Sequence, residues 1–142
     1  MSDNEPRRVL LKLSGEALRG DSGSVLDPEM LRVIADQVAR AARHVQIALV
    51  VGAGNICRGG SWADLSVHRT DADAIGMVAT HVNALALGAH LRTHGQSCVI
   101  MGPHSSVPQV QHFDSSAARA QLAQNHVVLL AGGTGNPYFT TD

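Results

Sequence analysis

The stretch VQIALVVGAGN, residues 45–55, decides the fold class, because an apolar run leads directly into a glycine-rich turn. Its first seven residues are apolar except for Gln46. Such a run suits a strand that is covered on both faces, as in a parallel sheet between helices. Gly52 and Gly54 then allow a sharp turn that exposes backbone N–H groups beyond the strand. The sequence therefore predicts a buried parallel strand that ends in a loop suited to an anion.

Three further apolar runs repeat this pattern, at residues 7–13, 97–101 and 126–131. Each is short and bounded by polar residues or glycine, which is typical of a strand. We expect the first of them to be buried like the others. Four apolar strands then account for most of the sheet.

Helical patterns separate these runs. Asp27 followed by Pro28 is typical of an N-cap and a first helical residue, and apolar residues recur at helical spacing after them. A second helix is predicted within residues 115–125. The longest pattern, expected to end near Gly95, is formed by Ile75, Val78, Val82, Leu85 and Ala89.

Strands that alternate with helices predict an α/β fold, a mainly parallel sheet sandwiched by helices. We expect one domain over residues 1–142, with residues 1–6 as a flexible tail. Ligands of such sheets gather at the carboxyl ends of the strands.

Composition narrows the function classes. Lys and Arg number 11 against 12 Asp and Glu, for a net charge of -1, so nothing indicates a nucleic-acid or membrane surface. The two cysteines fit a reducing compartment better than a disulfide framework. The polar N-terminus has no signal-peptide pattern, and no apolar run is expected to reach membrane-spanning length. We expect a cytoplasmic, soluble protein.

Three strand ends carry residues suited to phosphate. Lys12 follows the first run within KLSG, although surface lysines beside Ser-Gly turns are common. The second is GAGNICRGG, where Arg58 suits a forked contact with phosphate, although glycines at strand exits are also ordinary turn residues. The third is the closing stretch AGGTGNPYFTTD, residues 131–142. Together, three such loops predict a site for a phosphorylated ligand.

Other polar residues favour structural interpretations. His90 and His94 are four apart on the long helix, but no third ligand lies near them, so we predict no protein metal site. Cys57 precedes an arginine, which would lower the pKa of its thiol. A small apolar residue in a loop is the interpretation we favour for it.

Four segments resemble the bacterial uridylate (UMP) kinases of the amino-acid-kinase fold, in that family's order and spacing. They are VLLKLSGEAL, GAGNICRGG, DADAIGMVATHVNALAL and AGGTGNPYFTTD. The last is the most specific, since other enzymes of this fold share the lysine and the glycine loop. The resemblance implies phosphoryl transfer from ATP, with Mg²⁺, to UMP, giving UDP in pyrimidine nucleotide biosynthesis.

The resemblance also implies roles for individual positions. Catalytic roles fall to Lys12, Arg58 and Asp142, the last near the transferring phosphate, where it would orient Lys12 or Mg²⁺. The positions implied to contact ATP phosphates are Lys12, Leu13, Ser14, Gly15, Gly54 and Arg58. The positions implied to bind UMP are Ala53, Asp73, which would recognise the ribose, and Thr134, Gly135, Asn136, Pro137, Tyr138, Phe139, Thr140 and Thr141.

Two residues depart from the family pattern. Ala53 stands where the family's Gly-Gly-Gly-Asn loop has its middle glycine. Its methyl group would cost roughly 1 kcal/mol or more if that position needs a positive φ or close phosphate contact. Cys57 stands where a bulky aromatic residue is usual.

Family members continue well beyond the final loop, so we expect this chain to match their N-terminal, UMP-binding portion, truncated before the ATP-binding half. An incomplete sheet exposes an edge strand, which favours pairing with another chain. The resemblance further implies a homohexamer with GTP and UTP as regulators, in which residues 71–93 form a contact surface.

Three hypotheses follow. The first is a UMP kinase. The alternative is a catalytically incomplete nucleotide-binding or assembly module that retains only the UMP side. The third is a kinase of the same fold for an acyl or amino-acid substrate, such as an acetylglutamate kinase. The motif TGNPYFTTD argues against the third hypothesis.

Overall fold

A five-stranded parallel sheet organises the chain in the computed structural model, which describes residues 6–57, 66–105 and 107–141. The strands are β1 (Arg8–Leu13), β2 (Gln46–Val51), β3 (Cys98–Gly102), β4 (Val110–His112) and β5 (Val127–Leu130). Their order across the sheet is β1-β2-β5-β3-β4, and every pairing is parallel. The last strand in sequence therefore lies beside β2, between it and β3.

Within the described residues, three α-helices accompany the sheet: α1 (Pro28–Ala41), α2 (Arg69–Thr93) and α3 (Ser115–Ala123). A short 3-10 helix, Gly15–Leu18, follows β1. The predicted start of α1 is confirmed, since the Asp27 side chain accepts hydrogen bonds from the N–H groups of Glu29 and Met30.

The helices cover both faces of the sheet. On one face α1 and α2 pack over Ile47, Leu49 and Val51 of β2 in the larger apolar cluster. On the other face α3 packs over Ala48, in a smaller cluster. Strand β2 is thus buried on both sides, and the predicted sandwich of helices around a parallel sheet is confirmed.

The expectation that the first run is buried is wrong. Strand β1 lies at an edge of the sheet, and the side chains of Leu10 and Leu11 are 64% and 42% exposed. A strand with one neighbour has less apolar surface against it than a strand between two others. The apolar run in the sequence is the same in both situations, so strand order was needed to tell them apart.

The sequence also missed strand β4, which has only three residues. It lies in a stretch with Pro108 two residues ahead of it, and such a short strand carries no readable alternation. The predicted tail at residues 1–6 lies outside the described residues, except for Pro6.

The long helix α2 presents a different face to the core than its apolar spacing indicated. Ile75, Val78 and Val82 are exposed, with Val78 55% accessible, whereas Leu87 and Leu91 are fully buried. The helix is apolar on more than one side, so helical periodicity cannot select the buried face.

The expectation that no run reaches membrane-spanning length is also wrong. Helix α2 has 25 residues and is long and apolar enough to cross a membrane by length and composition. Part of it is core, since 44% of its most apolar 18-residue window is buried.

We predict that Leu87→Ala lowers the free energy of unfolding by about 2–5 kcal/mol, because it empties a fully buried site. Val78→Ala, on the exposed side of the same helix, should change it by less than about 1 kcal/mol when the chain is measured as a monomer. Urea unfolding followed by circular dichroism measures both values. Equal losses for the two variants would contradict the assignment of the buried face.

Candidate functional site

The three loops singled out in the sequence meet at one edge of the sheet. Register explains why: Leu13 of β1 lies opposite Val51 of β2, and Val50 lies opposite Leu130 of β5. The three strands are neighbours and all point the same way, so the loops that follow them emerge side by side.

A cavity of about 590 Å³ opens between these loops and the first turns of α2. Its lining residues are Lys12, Ser14, Gly15, Gly52, Ala53, Gly54, Cys57, Arg69, Ala72, Asp73, Gly76, Phe139, Thr140 and Thr141. This volume is in the range of small-molecule sites.

The loops after β1 and β2 pack directly on each other. The N–H of Gly52 donates to the Leu13 carbonyl at 2.9 Å. A Cβ atom on Gly15 would collide with Asn55 Oδ1 and lie 2.7 Å from the Gly54 nitrogen. Only glycine permits this approach, so Gly15 keeps the end of β1 against the glycine loop.

A buried amide pair fastens the glycine loop to α2. Asn55 Nδ2 donates to Asn83 Oδ1 at 3.1 Å, and Asn83 Nδ2 donates back to Asn55 Oδ1 at 2.7 Å. The second proton of each amide goes to a backbone carbonyl, that of Val25 for Asn55 and that of Gly52 for Asn83. All four donors are used, which fixes the loop in one orientation.

Asp73 joins α2 to the closing loop, residues 132–141. Its Oδ2 accepts a hydrogen bond of 2.6 Å from the N–H of Tyr138, 65 residues away in sequence. Its Oδ1 lies 3.4 Å from Arg69 Nε. The Asp73 side chain is only 16% exposed, so the carboxylate is largely enclosed at the cavity wall.

The start of the closing loop is held by Thr80. Its hydroxyl accepts a 2.6 Å hydrogen bond from the N–H of Gly132 and donates to the Met77 carbonyl. Gly133 has φ +56°, and a Cβ there would lie 2.9 Å from Thr141 Cα. The loop therefore folds back on itself and brings its final residues to the cavity.

The predicted site residues separate into groups by location. Those that line the cavity are Lys12, Ser14, Gly15, Ala53, Gly54, Asp73, Phe139, Thr140 and Thr141. Those outside its wall are Leu13, which packs against the core, and Gly135, Asn136, Pro137 and Tyr138 of the closing loop. Thr134 instead lines a neighbouring cavity of about 400 Å³ that includes Phe113. Arg58 and Asp142 lie outside the described residues.

Gly52, which the sequence placed in the glycine turn, lines the wall, whereas Cys57, Arg69, Ala72 and Gly76 were not assigned to the site. A signal for the last three was present. Together with Asp73 they fall at positions i, i+3, i+4 and i+7, one face of a helix. Thr80 and Asn83 gave a weaker signal, as polar residues that recur within an otherwise apolar helix.

The charged side chains among the described wall residues are Lys12, Arg69 and Asp73. Two cations and one carboxylate leave a positive balance, which suits an anionic ligand that also offers hydroxyl groups. Within the described ranges no group of three His, Cys, Asp or Glu is arranged to hold a metal ion. His90 and His94 each direct Nδ1 to a backbone carbonyl, of Ala86 and of His90 respectively.

Ala53 and Cys57 are both accommodated in the wall. Ala53 is buried, and its φ does not lie in the positive range that several other described residues adopt. Its methyl group therefore causes no strain of the left-handed backbone conformation. Burial raises the pKa of the Cys57 thiol above its ordinary value. That direction agrees with the structural interpretation of Cys57 that the sequence favoured.

His81 lies buried beneath the closing loop. Burial lowers the pKa of its imidazole, a hydrogen bond with the Ala131 backbone opposes this, and nearby His104 lowers it slightly further. Gly102 and Gly132 leave room for the His81 ring. A Cβ atom on Gly102 would lie 3.1 Å from Nε2 of His81, and one on Gly132 would lie 2.8 Å from it.

Comparison with known proteins identifies relatives of this arrangement. Residues 7–142 match the model of the amino acid kinase family. The chain is 45% identical to a uridylate kinase of Agrobacterium fabrum and 42% identical to one of Magnetococcus marinus. Each alignment covers 96% of this chain and 57% of the relative.

Among solved structures, the UMP kinase from Ureaplasma parvum has a TM-score of 0.90 at 28% identity. That similarity covers 96% of this chain and 58% of the other. The chain thus spans a little over half the length of the relatives that it matches.

We predict that Asn83→Asp lowers the free energy of unfolding by about 1–3 kcal/mol or more, because it turns a buried donor into an acceptor facing the Gly52 carbonyl. Gln37→Glu makes the same chemical change at an exposed position of α1 and is the matched control. Urea unfolding compares the two. Similar small shifts would show that the amide pair contributes little.

We predict that stability falls as pH drops below about 6.5, in part through His81. The pKa of His81 is lowered in the folded chain, so the unfolded chain binds the proton first as the pH falls. The contribution of His81 to stability is therefore fully present only above the pKa that it has in the unfolded chain. His81→Gln should therefore reduce the loss in urea midpoint between about pH 7.5 and about pH 5.5. His44→Gln, at an exposed position, should leave that loss unchanged.

Proposed function

Because this chain belongs to the amino acid kinase family, we propose that it acts as a UMP kinase, transferring the terminal phosphoryl group of ATP to UMP. The product is UDP, and the setting is cytoplasmic pyrimidine nucleotide biosynthesis. The observation that carries the proposal is that residues of KLSG, GAGN and the closing loop line one cavity together with Asp73. The similarity to uridylate kinases of two bacteria supports the choice of substrate.

The UMP side is formed by Asp73 and the closing loop. A largely enclosed carboxylate is a strong acceptor for ribose hydroxyl groups, and Asp73 lies at the cavity wall. Thr140 and Thr141 add hydroxyl groups beside it, and Phe139 adds an apolar surface. Together they suit a nucleoside, which has one polar and one planar apolar part.

The phosphate side is formed by the ends of β1 and β2. Lys12 contributes a cation, and the backbone of Gly15 and Gly54 lines the cavity, where phosphate oxygens would bind. Phosphoryl transfer requires positioning and charge neutralisation rather than a nucleophilic side chain. We propose that Lys12 and Arg58 supply that neutralisation and that Asp142 orients Lys12 or the Mg²⁺ ion.

Mg²⁺ would arrive with ATP. This ion usually keeps several waters and is bound through substrate phosphates with one or two carboxylates. The described wall contains one carboxylate, Asp73, which already contacts Tyr138 and Arg69. The ion is therefore part of the nucleotide substrate in this proposal, and it supplies charge neutralisation at the phosphates.

Self-association is part of the proposal. Ile75, Val78 and Val82 form an exposed apolar stripe on α2, which is the kind of surface that oligomers bury. The stripe supports α2 as the contact surface of a homo-oligomer. Regulation by GTP or UTP would follow from the same family resemblance.

We predict that UMP binds the purified chain and that Asp73→Ala weakens binding by about 1.5–3 kcal/mol, at least tenfold, because a charged acceptor is lost. Asp36→Ala is the matched control, since Asp36 also contacts an arginine four residues away on a helix, at 3.8 Å from Arg40. Isothermal titration calorimetry measures UMP affinity for all three proteins.

A separate titration with ATP and Mg²⁺ distinguishes the two functions. Binding of both nucleotides, followed by UDP formation, supports the kinase. Binding of UMP alone favours a nucleotide-binding module that retains the UMP side. Absence of UMP binding to the folded chain would contradict both.

A further inference from the structure

We infer that Arg69 is a positioning residue that holds the closing loop against α2 and so preorganises Asp73 for its ligand. The sequence motifs do not include this residue, although its helical spacing from Asp73 places both on one face of α2. The inference rests on the proposed function only for the identity of the ligand, because the contacts that carry it belong to the protein itself.

Arg69, Asp73 and Tyr138 contact one another pairwise, and we call this group the Arg69 clamp. Arg69 Nε lies 3.4 Å from Asp73 Oδ1. The N–H of Tyr138 donates to Asp73 Oδ2 at 2.6 Å. The Arg69 guanidinium carbon lies 5.5 Å from the centroid of the Tyr138 ring, within cation–π range. Three contacts thus close a ring between the first turns of α2 and the loop.

The loop needs such contacts because Tyr138 is held in an unfavourable conformation. Its φ is +68°, in the left-handed region that residues with a Cβ rarely adopt. Its ring is mostly exposed, so burial does little to hold it. The Asp73 carboxylate and the Arg69 guanidinium both contact Tyr138. Strain of this kind persists only where the surroundings determine the conformation.

Arg69 also stands where helix electrostatics disfavour a cation. It is the first residue of α2, at the positive end of the helix dipole. A guanidinium there gains nothing from the helix itself. Its contacts with Asp73 and Tyr138 offset the unfavourable interaction with the helix dipole. Arg69 is therefore stabilised at this position by the clamp and not by the helix.

The clamp orients the Asp73 carboxylate. An ionised carboxylate has about four acceptor positions. The N–H of Tyr138 engages Oδ2 of Asp73, and Arg69 engages Oδ1. These two contacts fix the plane of the carboxylate and leave acceptor positions for the donors of a ligand. Arg69 therefore acts through Asp73 and Tyr138 rather than by contacting a phosphate.

The clamp is tested first in the ligand-free protein. Arg69→Gln should speed hydrogen exchange at the Tyr138 amide about three- to tenfold, because a cation–π contact and an ion pair that restrain the loop are lost. Arg40→Gln removes an equivalent arginine, which contacts an aspartate four residues away on α1, and should leave that exchange unchanged. Unchanged exchange in Arg69→Gln would overturn the inference, whatever UMP does.

The second test compares UMP with uridine, which lacks the phosphate. A positioning role predicts that Arg69→Gln weakens binding of both by a similar factor, about three- to tenfold. A loss confined to UMP would overturn the inference and assign Arg69 to the phosphate. Failure of the wild-type chain to bind UMP would instead count against the proposed function, while the exchange measurement still decides the clamp.

A double-mutant cycle supplies the last check. Tyr138→Gly removes the aromatic ring and tolerates the positive φ, so it isolates the contact with Arg69. Arg69→Gln should cost less uridine affinity in the Tyr138→Gly background than in the wild type. Equal costs in both backgrounds would show that the ring contact has no energetic role.

Discussion

The pairing of β2 with β1 on one side and β5 on the other is the constraint on which the site depends. Parallel pairing in register brings the ends of three strands, which together span more than a hundred residues of sequence, to one edge of the sheet. Each strand end carries its own loop, and none of these loops encloses a ligand alone. The cavity exists because hydrogen bonding between strands aligns them.

Helix α2 supplies the second half of this arrangement. Three of its polar side chains each hold a different part of the wall: Asp73 the middle of the closing loop, Thr80 its start, and Asn83 the glycine loop. Because all three project from one rigid helix, the loops are positioned relative to one another. A site formed by loops thereby gains the precision of a regular element.

Much of the fold and part of the site could be predicted from sequence. The strand at residues 45–51 and the start of α1 at Asp27 were predictable because burial on both faces and helix capping leave local patterns. The exposure of Leu10 was not, since it depends on β1 lying at an edge. Arg69 was overlooked although its helical spacing from Asp73 was available, because a single charged residue after a polar segment suggested no contact.

The sequence by itself determined most of the secondary-structure elements, the α/β class and the motifs that relate this chain to its family, because each of these depends on residues close together in the chain. Only the tertiary structure decided the strand order, the buried face of α2 and the meeting of Asp73 with Tyr138, 65 residues apart. Those features depend on pairings between distant segments, where many arrangements satisfy the same local periodicity. Packing and hydrogen bonding over the whole domain select one of them.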